Sequence, residues 1–135
     1  RHIEGGGVIA MTPDGPRGPR MRVKRGPVPL AKLAGAPLIA LTWATTNRVV
    51  FDKSWDHFVL PLPFGKGALV WGNPIPPPPT DASDAEIEAV RLALEIEMNR
   101  IAAEADRIAG VTPIEPAPLC GEALMDAAET AAQTS

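Results

Sequence analysis

Val8-Ile9-Ala10-Met11-Thr12-Pro13-Asp14-Gly15-Pro16-Arg17-Gly18-Pro19-Arg20 is the stretch on which the fold turns. Its first four residues form an apolar run between Gly5-Gly6-Gly7 and Thr12-Pro13. That length and those flanks predict a buried strand rather than a helix. Thr12 to Arg25 is then a loop dense in glycine, proline and cations. Outward from it, Gly26 to Gly35 predicts a short helix, with Pro27 in its first turn and Gly35 at its exit. Leu38 to Ala44 predicts a second buried strand. The order strand, helix, strand predicts an α/β unit with parallel pairing, because such a crossover normally carries a helix. Phe58–Leu62 and Ala68–Trp71 are two further strands, close enough across Pro63-Phe64-Gly65-Lys66-Gly67 for a hairpin at the sheet edge. The expected fold class is α/β, a mixed sheet with flanking helices followed by a C-terminal amphipathic helix.

Residues 1–76 make up the α/β unit in this reading, and residues 77–82 a proline-rich connector. Pro74 to Pro79 cannot join a central strand and predicts polyproline II. Residues 83–110 predict an amphipathic helix opened by a Ser83/Glu86 capping box and closed by Gly110. Ile87, Val90, Leu94, Met98, Ile101, Ala105 and Ile108 fall at steps of three and four, a single apolar stripe on a charged helix. Residues 111–135 are expected to form a weakly ordered, flexible tail.

The 135 residues suffice for one domain, and the 16 prolines and 12 glycines are many for that length. The chain starts at Arg1 on a glycine-rich turn, which reads as a partial chain. A lone Cys120 excludes an internal disulfide and fits a reducing compartment. No apolar run reaches the length of a membrane span. Charge is divided: residues 1–73 hold ten Lys/Arg against four Asp/Glu, and residues 74–135 hold three against twelve. The first part looks built to meet an anion and the second like a solvated helix and tail.

The loop after the first strand carries the candidate chemistry. Ligands of open α/β sheets bind beyond the C-terminal ends of strands. Arg17 offers a planar fork for two oxygens of one phosphate. Asp14 can accept from a hydroxyl or hold that arginine, and Gly15 lets the backbone approach a ligand. Arg20 extends the positive field. The substrate-binding candidates are therefore Asp14, Gly15, Arg17 and Arg20, against the plain alternative of a solvated basic turn.

Several linked motifs carry a resemblance. TPDGPRGP at Thr12–Pro19 is similar to the FPEGTRS motif as it occurs in a bacterial lysophospholipid acyltransferase-like branch of the glycerophospholipid acyltransferase superfamily. Leu30-Ala31-Lys32-Leu33-Ala34-Gly35-Ala36-Pro37 resembles its LA-x-x-SG-x-P stretch. Ser54-Trp55-Asp56 and Leu60-Pro61-Leu62-Pro63-Phe64-Gly65 resemble its SWD and IPLPFG segments, and Gly72-Asn73-Pro74-Ile75 its closing G-x-P-I. The likeness covers about residues 5–76 and implies the C-terminal half of a glycerolipid-acyltransferase-like domain.

The resemblance implies transfer of an acyl group from acyl-CoA or acyl carrier protein, as co-substrate and without a cofactor, to a lysophospholipid or glycerophosphate-type acceptor. Asp14, Gly15 and Arg17 stand for the motif's Glu, Gly and Arg. Pro16 and Gly18 replace its Thr and Ser, so the acceptor need not be lysophosphatidic acid. Ala40 replaces the second proline of the V-P-x-x-P-V motif. The family's catalytic His-x-x-x-x-Asp is missing, since the pattern leads from His2 to Gly7 and from His57 to Leu62. No catalytic residue is therefore assigned, and the chain alone is expected not to turn over. The implied place is the cytoplasm or the cytoplasmic face of the inner membrane, with a peripheral membrane contact through the basic half while the acidic helix faces away. The alternative is a non-catalytic anion-binding module that meets nucleic acid or anionic membrane through the Arg17–Arg25 cluster, although no nucleic-acid motif accompanies it. His57 beside Ser54-Trp55-Asp56 invites a triad, but adjacent positions seldom converge, and the segment reads as structural. Trp43, Trp55 and Trp71 are expected to pack the sheet.

Overall fold

A computed structural model describes residues 6–118. His2, Cys120 and the tail beyond residue 118 lie outside the described residues. The first helix, α1, spans Pro27–Ala34. Its proline at the first turn lacks the N–H that a helix start would leave orphaned. Gly35 closes it in the left-handed conformation, returning its N–H to the Ala31 and Lys32 carbonyls. Val28 and Ala31 are its buried face.

Four short strands follow: β1 Leu41–Thr45, β2 Arg48–Val50, β3 Val59–Pro61 and β4 Gly67–Trp71. They form two antiparallel ladders, β1 with β4 and β2 with β3. In the first, Leu41 faces Trp71 and Trp43 faces Leu69. In the second, Val49 faces Leu60. The molecule is thus mixed α/β with two small antiparallel sheets and two helices.

Four expectations are corrected here. Val8–Met11 is not a strand, and Val8 is 87% exposed. A strand requires a neighbouring edge to complete its hydrogen bonds, and neither ladder of the described residues includes Val8–Met11. The parallel crossover is consequently absent among the described residues. The segments at 58–62 and 68–71 are strands but do not pair with each other: a three-residue strand at Arg48–Val50, too short for a periodicity signal, takes the first. The start of the proline run is also less free than a connector, because Ile75 exchanges both backbone hydrogen bonds with Leu38 at 2.8 and 2.9 Å.

The second helix, α2, spans Asp84–Ala109. Ser83 Oγ accepts from the Glu86 N–H, and the Glu86 carboxylate accepts from the Ser83 N–H at 2.7 Å, which closes the expected capping box. Leu94, Ile101 and Ala105 of the stripe are buried, whereas Ile108 is exposed. With Val23 and Ala40, Leu94 and Ile101 form the core, flanked by Leu38, Val70, Ile75 and Met98. Helix and sheet meet closely at Gly72, where a Cβ would come within 3.0 Å of Ala40 Cβ and of the Glu97 side chain. The opposite face of the β1–β4 ladder, bearing Leu41, Trp43, Leu69 and Trp71, is exposed, so Trp43 and Trp71 do not pack beneath the sheet as expected. No described helix is long and apolar enough to cross a membrane.

α2 also carries two buried carboxylates, Glu95 and Asp106, that the apolar stripe did not announce. They correct the picture of a solvated acidic helix facing away from the basic half. Glu95 receives Arg22 at 3.0 Å, the Val23 N–H at 2.9 Å and Arg91 at 2.8 Å. Arg91 in turn donates to the Val23 carbonyl at 3.0 Å. One turn of helix therefore holds both backbone groups of Val23. The segment after the helix is no loose tail as far as it is described. Arg20 Nε donates to Glu115 O at 2.9 Å, Arg22 Nε to Ala117 O at 2.8 Å, and the Ala117 N–H to Arg20 O at 3.0 Å.

Candidate functional site

The loop from Thr12 to Arg25 is shaped at its base by the Lys24 N–H, which donates to Pro13 O at 2.7 Å. Its far end rests on Trp55, because Gly18 takes a left-handed φ of 60° against the ring. A cavity of about 590 Å³ opens between this loop and the 51–58 connection of the β2–β3 hairpin. Asp14, Gly15 and Arg20 line it, and Arg17 does not. Arg17 is exposed, so the guanidinium that the motif alignment favoured stands away from the cavity. Arg20 is the loop arginine in place. Its Nε is taken by Glu115 O, and its terminal nitrogens make no hydrogen bond or ion pair among the described residues.

Arg48 of β2 is a second cation in the wall and was missed in the sequence, where it stands alone outside any basic run. It donates to Asp106 at 2.7 Å and to Thr112 O at 2.6 Å, and both members of the pair are 10% exposed at their side chains. A charge pair this enclosed needs its further hydrogen bond to offset desolvation. Trp43, Trp55 and Phe58 give the cavity an apolar side. It therefore combines one cation without an ion-pair partner among the described residues, Arg20, with the carboxylates Asp14 and Asp56 and with aromatic walls, a form that suits a ligand with a polar head and an apolar body.

The Ser54-Trp55-Asp56-His57 segment is organised as a turn, not as a triad. Asp56 Oδ1 accepts from Ser54 Oγ and from the Phe58 N–H, and the His57 N–H donates to Ser54 O at 3.1 Å. The carboxylate is spent on its own backbone. Even so, Asp56 and His57 line the same cavity as Asp14 and Arg20.

The basic run is divided: Arg17, Lys24 and Arg25 are exposed, whereas Arg22 is half-buried. Arg22 is paired with Glu95, and Arg25 lies 3.9 Å from Glu88. Burial by itself would raise the Glu95 pKa, but the hydrogen bonds from Arg91, the Val23 N–H and Arg22 outweigh it and leave it below the ordinary carboxylate value.

Among curated proteins, the chain is similar to an uncharacterised protein of Rickettsia prowazekii (strain Madrid E), with 37% identity over 70 residues. That match takes in 52% of this chain and 32% of the relative, so the matched region spans about a third of the relative's length. No family model matches the chain, and no solved structure matches it.

Proposed function

We propose that this chain supplies the acceptor-binding side of a glycerolipid-acyltransferase-like centre. Its cavity takes the phosphate of a lysophospholipid or glycerophosphate-type acceptor whose hydroxyl receives the acyl group from acyl-CoA or acyl carrier protein. The observation that carries this reading is convergence: the TPDGPRGPR loop and the SWD segment, thirty-odd residues apart, line one cavity. Within it, Arg20 takes the role expected of Arg17, with Asp14 placed to accept from an acceptor hydroxyl. The His-x-x-x-x-Asp pair that would deprotonate that hydroxyl is not in this chain, which therefore binds the acceptor without acylating it. The apolar β1–β4 face suits a partial glycerolipid-acyltransferase-like fold, since such a face is normally covered within a domain. The enclosed pairing of Arg22 with Glu95 takes one member out of the Arg17–Arg25 cluster that nucleic acid or membrane would need.

Titration of the 135-residue chain with glycerol 3-phosphate, followed by amide NMR, tests the reading. Saturable shifts at Gly15 and Arg20, lost in Arg20→Gln, are expected, with no product on adding acyl-CoA. Absence of saturable shifts at millimolar ligand would end it.

A further inference from the structure

Resting on that acceptor-binding reading, we propose that His57 is a ligand-contacting residue of the phosphate site, donating an imidazole N–H to the phosphomonoester that Arg20 holds. Three observations converge on it. His57 lines the cavity although it lies 37 positions from Arg20 in the chain. Its imidazole makes no hydrogen bond or ion pair among the described residues, whereas the Asp56 carboxylate beside it is occupied by Ser54 and the Phe58 N–H. Its backbone is left-handed, with φ 48°, a region unfavourable to side-chain-bearing residues and cheapest for glycine.

The first two observations separate a ligand residue from a turn residue: a turn needs only the backbone, whereas the imidazole lines the cavity with no partner among the described residues. Positive φ is met in this chain by Gly15 and Gly18 but also by Met21 and Phe64, so the backbone supports the ligand role without carrying it. Keeping a half-buried imidazole there costs backbone strain, and such strain concentrates where a side chain must be aimed at a ligand. The other charged groups of the cavity are accounted for. Arg48 and Asp106 satisfy each other, and Asp56 serves its turn. Asp14 repels an anion, so Arg20 and His57 remain as the donors for a phosphate. The shared chemistry is a phosphomonoester, whether free or at a lipid headgroup.

His57→Gly relieves the strain while removing the donor, so it separates the two roles. The 135-residue chain and its variants are titrated with inorganic phosphate, glycerol 3-phosphate and a short-chain lysophosphatidic acid, and each variant is also melted. His57→Gly is expected to keep or raise the melting temperature while weakening all three ligands about tenfold, the worth of one charge-assisted hydrogen bond. Phe64→Gly relieves a comparable φ of 67° outside the cavity, and should leave affinity unchanged. His57→Asn tolerates the same backbone and should also bind weakly, which keeps the test open if the glycine variant fails to fold. Weakening only with the lysolipid would assign His57 to the acyl arm and overturn the phosphate contact. Unchanged affinity in both His57 variants, with binding lost in Arg20→Gln, would overturn the proposal and leave the acceptor-binding reading intact. Absence of any binding to the unaltered chain would overturn both.

Discussion

Gly18 is packed directly against the Trp55 ring: a Cβ on Gly18 would lie 2.5 Å from Trp55 Cε3 and 2.6 Å from Cζ3. The contact joins the loop and the SWD segment, and with them the two walls of the cavity. Gly18→Ala meets both a steric overlap and a left-handed φ. The expected cost is about 2–3 kcal/mol in urea unfolding followed by tryptophan fluorescence. A loss within experimental error would mean that the two walls are not tied at this point.

Glu95→Ala removes the common acceptor of Arg22, Arg91 and the Val23 N–H. With the carboxylate side chain only 6% exposed, Arg22 loses its ion-pair partner in an enclosed place, the Val23 N–H loses its acceptor, and Arg91 keeps only Glu88, at 2.7 Å, as an ion-pair partner. A loss of about 3 kcal/mol is expected by chemical denaturation. Hydrogen exchange at the Val23 amide should accelerate more than at Leu94, since the loop is released before the helix is.

The Arg48–Asp106 pair should be coupled. Arg48→Met and Asp106→Asn, alone and together, form a double-mutant cycle with an expected interaction of about 1–3 kcal/mol, given the shared enclosure. Additive effects would show that the cavity wall does not depend on the pair.

Acid should weaken the fold through carboxylates held below their ordinary range. The Arg100 guanidinium and the Asn73 N–H hold Glu97 at about 2, and Glu95 is likewise lowered. A depressed folded pKa contributes stability that is complete above the unfolded value of about 4.5 and is lost as pH falls toward the folded one. Unfolding midpoints should therefore be level from pH 7 to 5 and fall between about pH 4.5 and 2. Glu97→Gln should flatten part of that fall, which a urea series across pH measures directly.

Local chemistry made the helices legible. Pro27 and Gly35 bracket α1, and Ser83, Glu86 and Gly110 bracket α2, because capping depends on residues a few positions apart. The strands were less so. Val8–Met11 has strand composition, yet pairing is decided by distant edges, and β2 was too short to show a period. In the candidate site, Asp14, Gly15 and Arg20 were legible as a loop, while Arg17 was ranked by its place in a motif that says nothing about direction. Arg48 was not legible, and His57 stood out only as a triad candidate set aside as structural, since each reaches the cavity only through the β2–β3 hairpin. Glu95 and Asp106 hid among the many acidic residues of α2; their signal was position, as each neighbours a residue of the apolar stripe.

The ties from Arg20 to Glu115 and from Arg22 to Ala117 each join residues 95 positions apart. On the ribosome the basic loop is made long before its partners. At about 5–20 residues per second, roughly 5–20 seconds pass between synthesis of Arg22 and of Ala117. Until Glu95 and then Glu115 and Ala117 are made, the nascent chain presents Arg20 and Arg22 without the carboxylate and carbonyls that later engage them. The phase most open to polyanions therefore comes at birth, before the last turns of α2 and the strap beyond it have emerged.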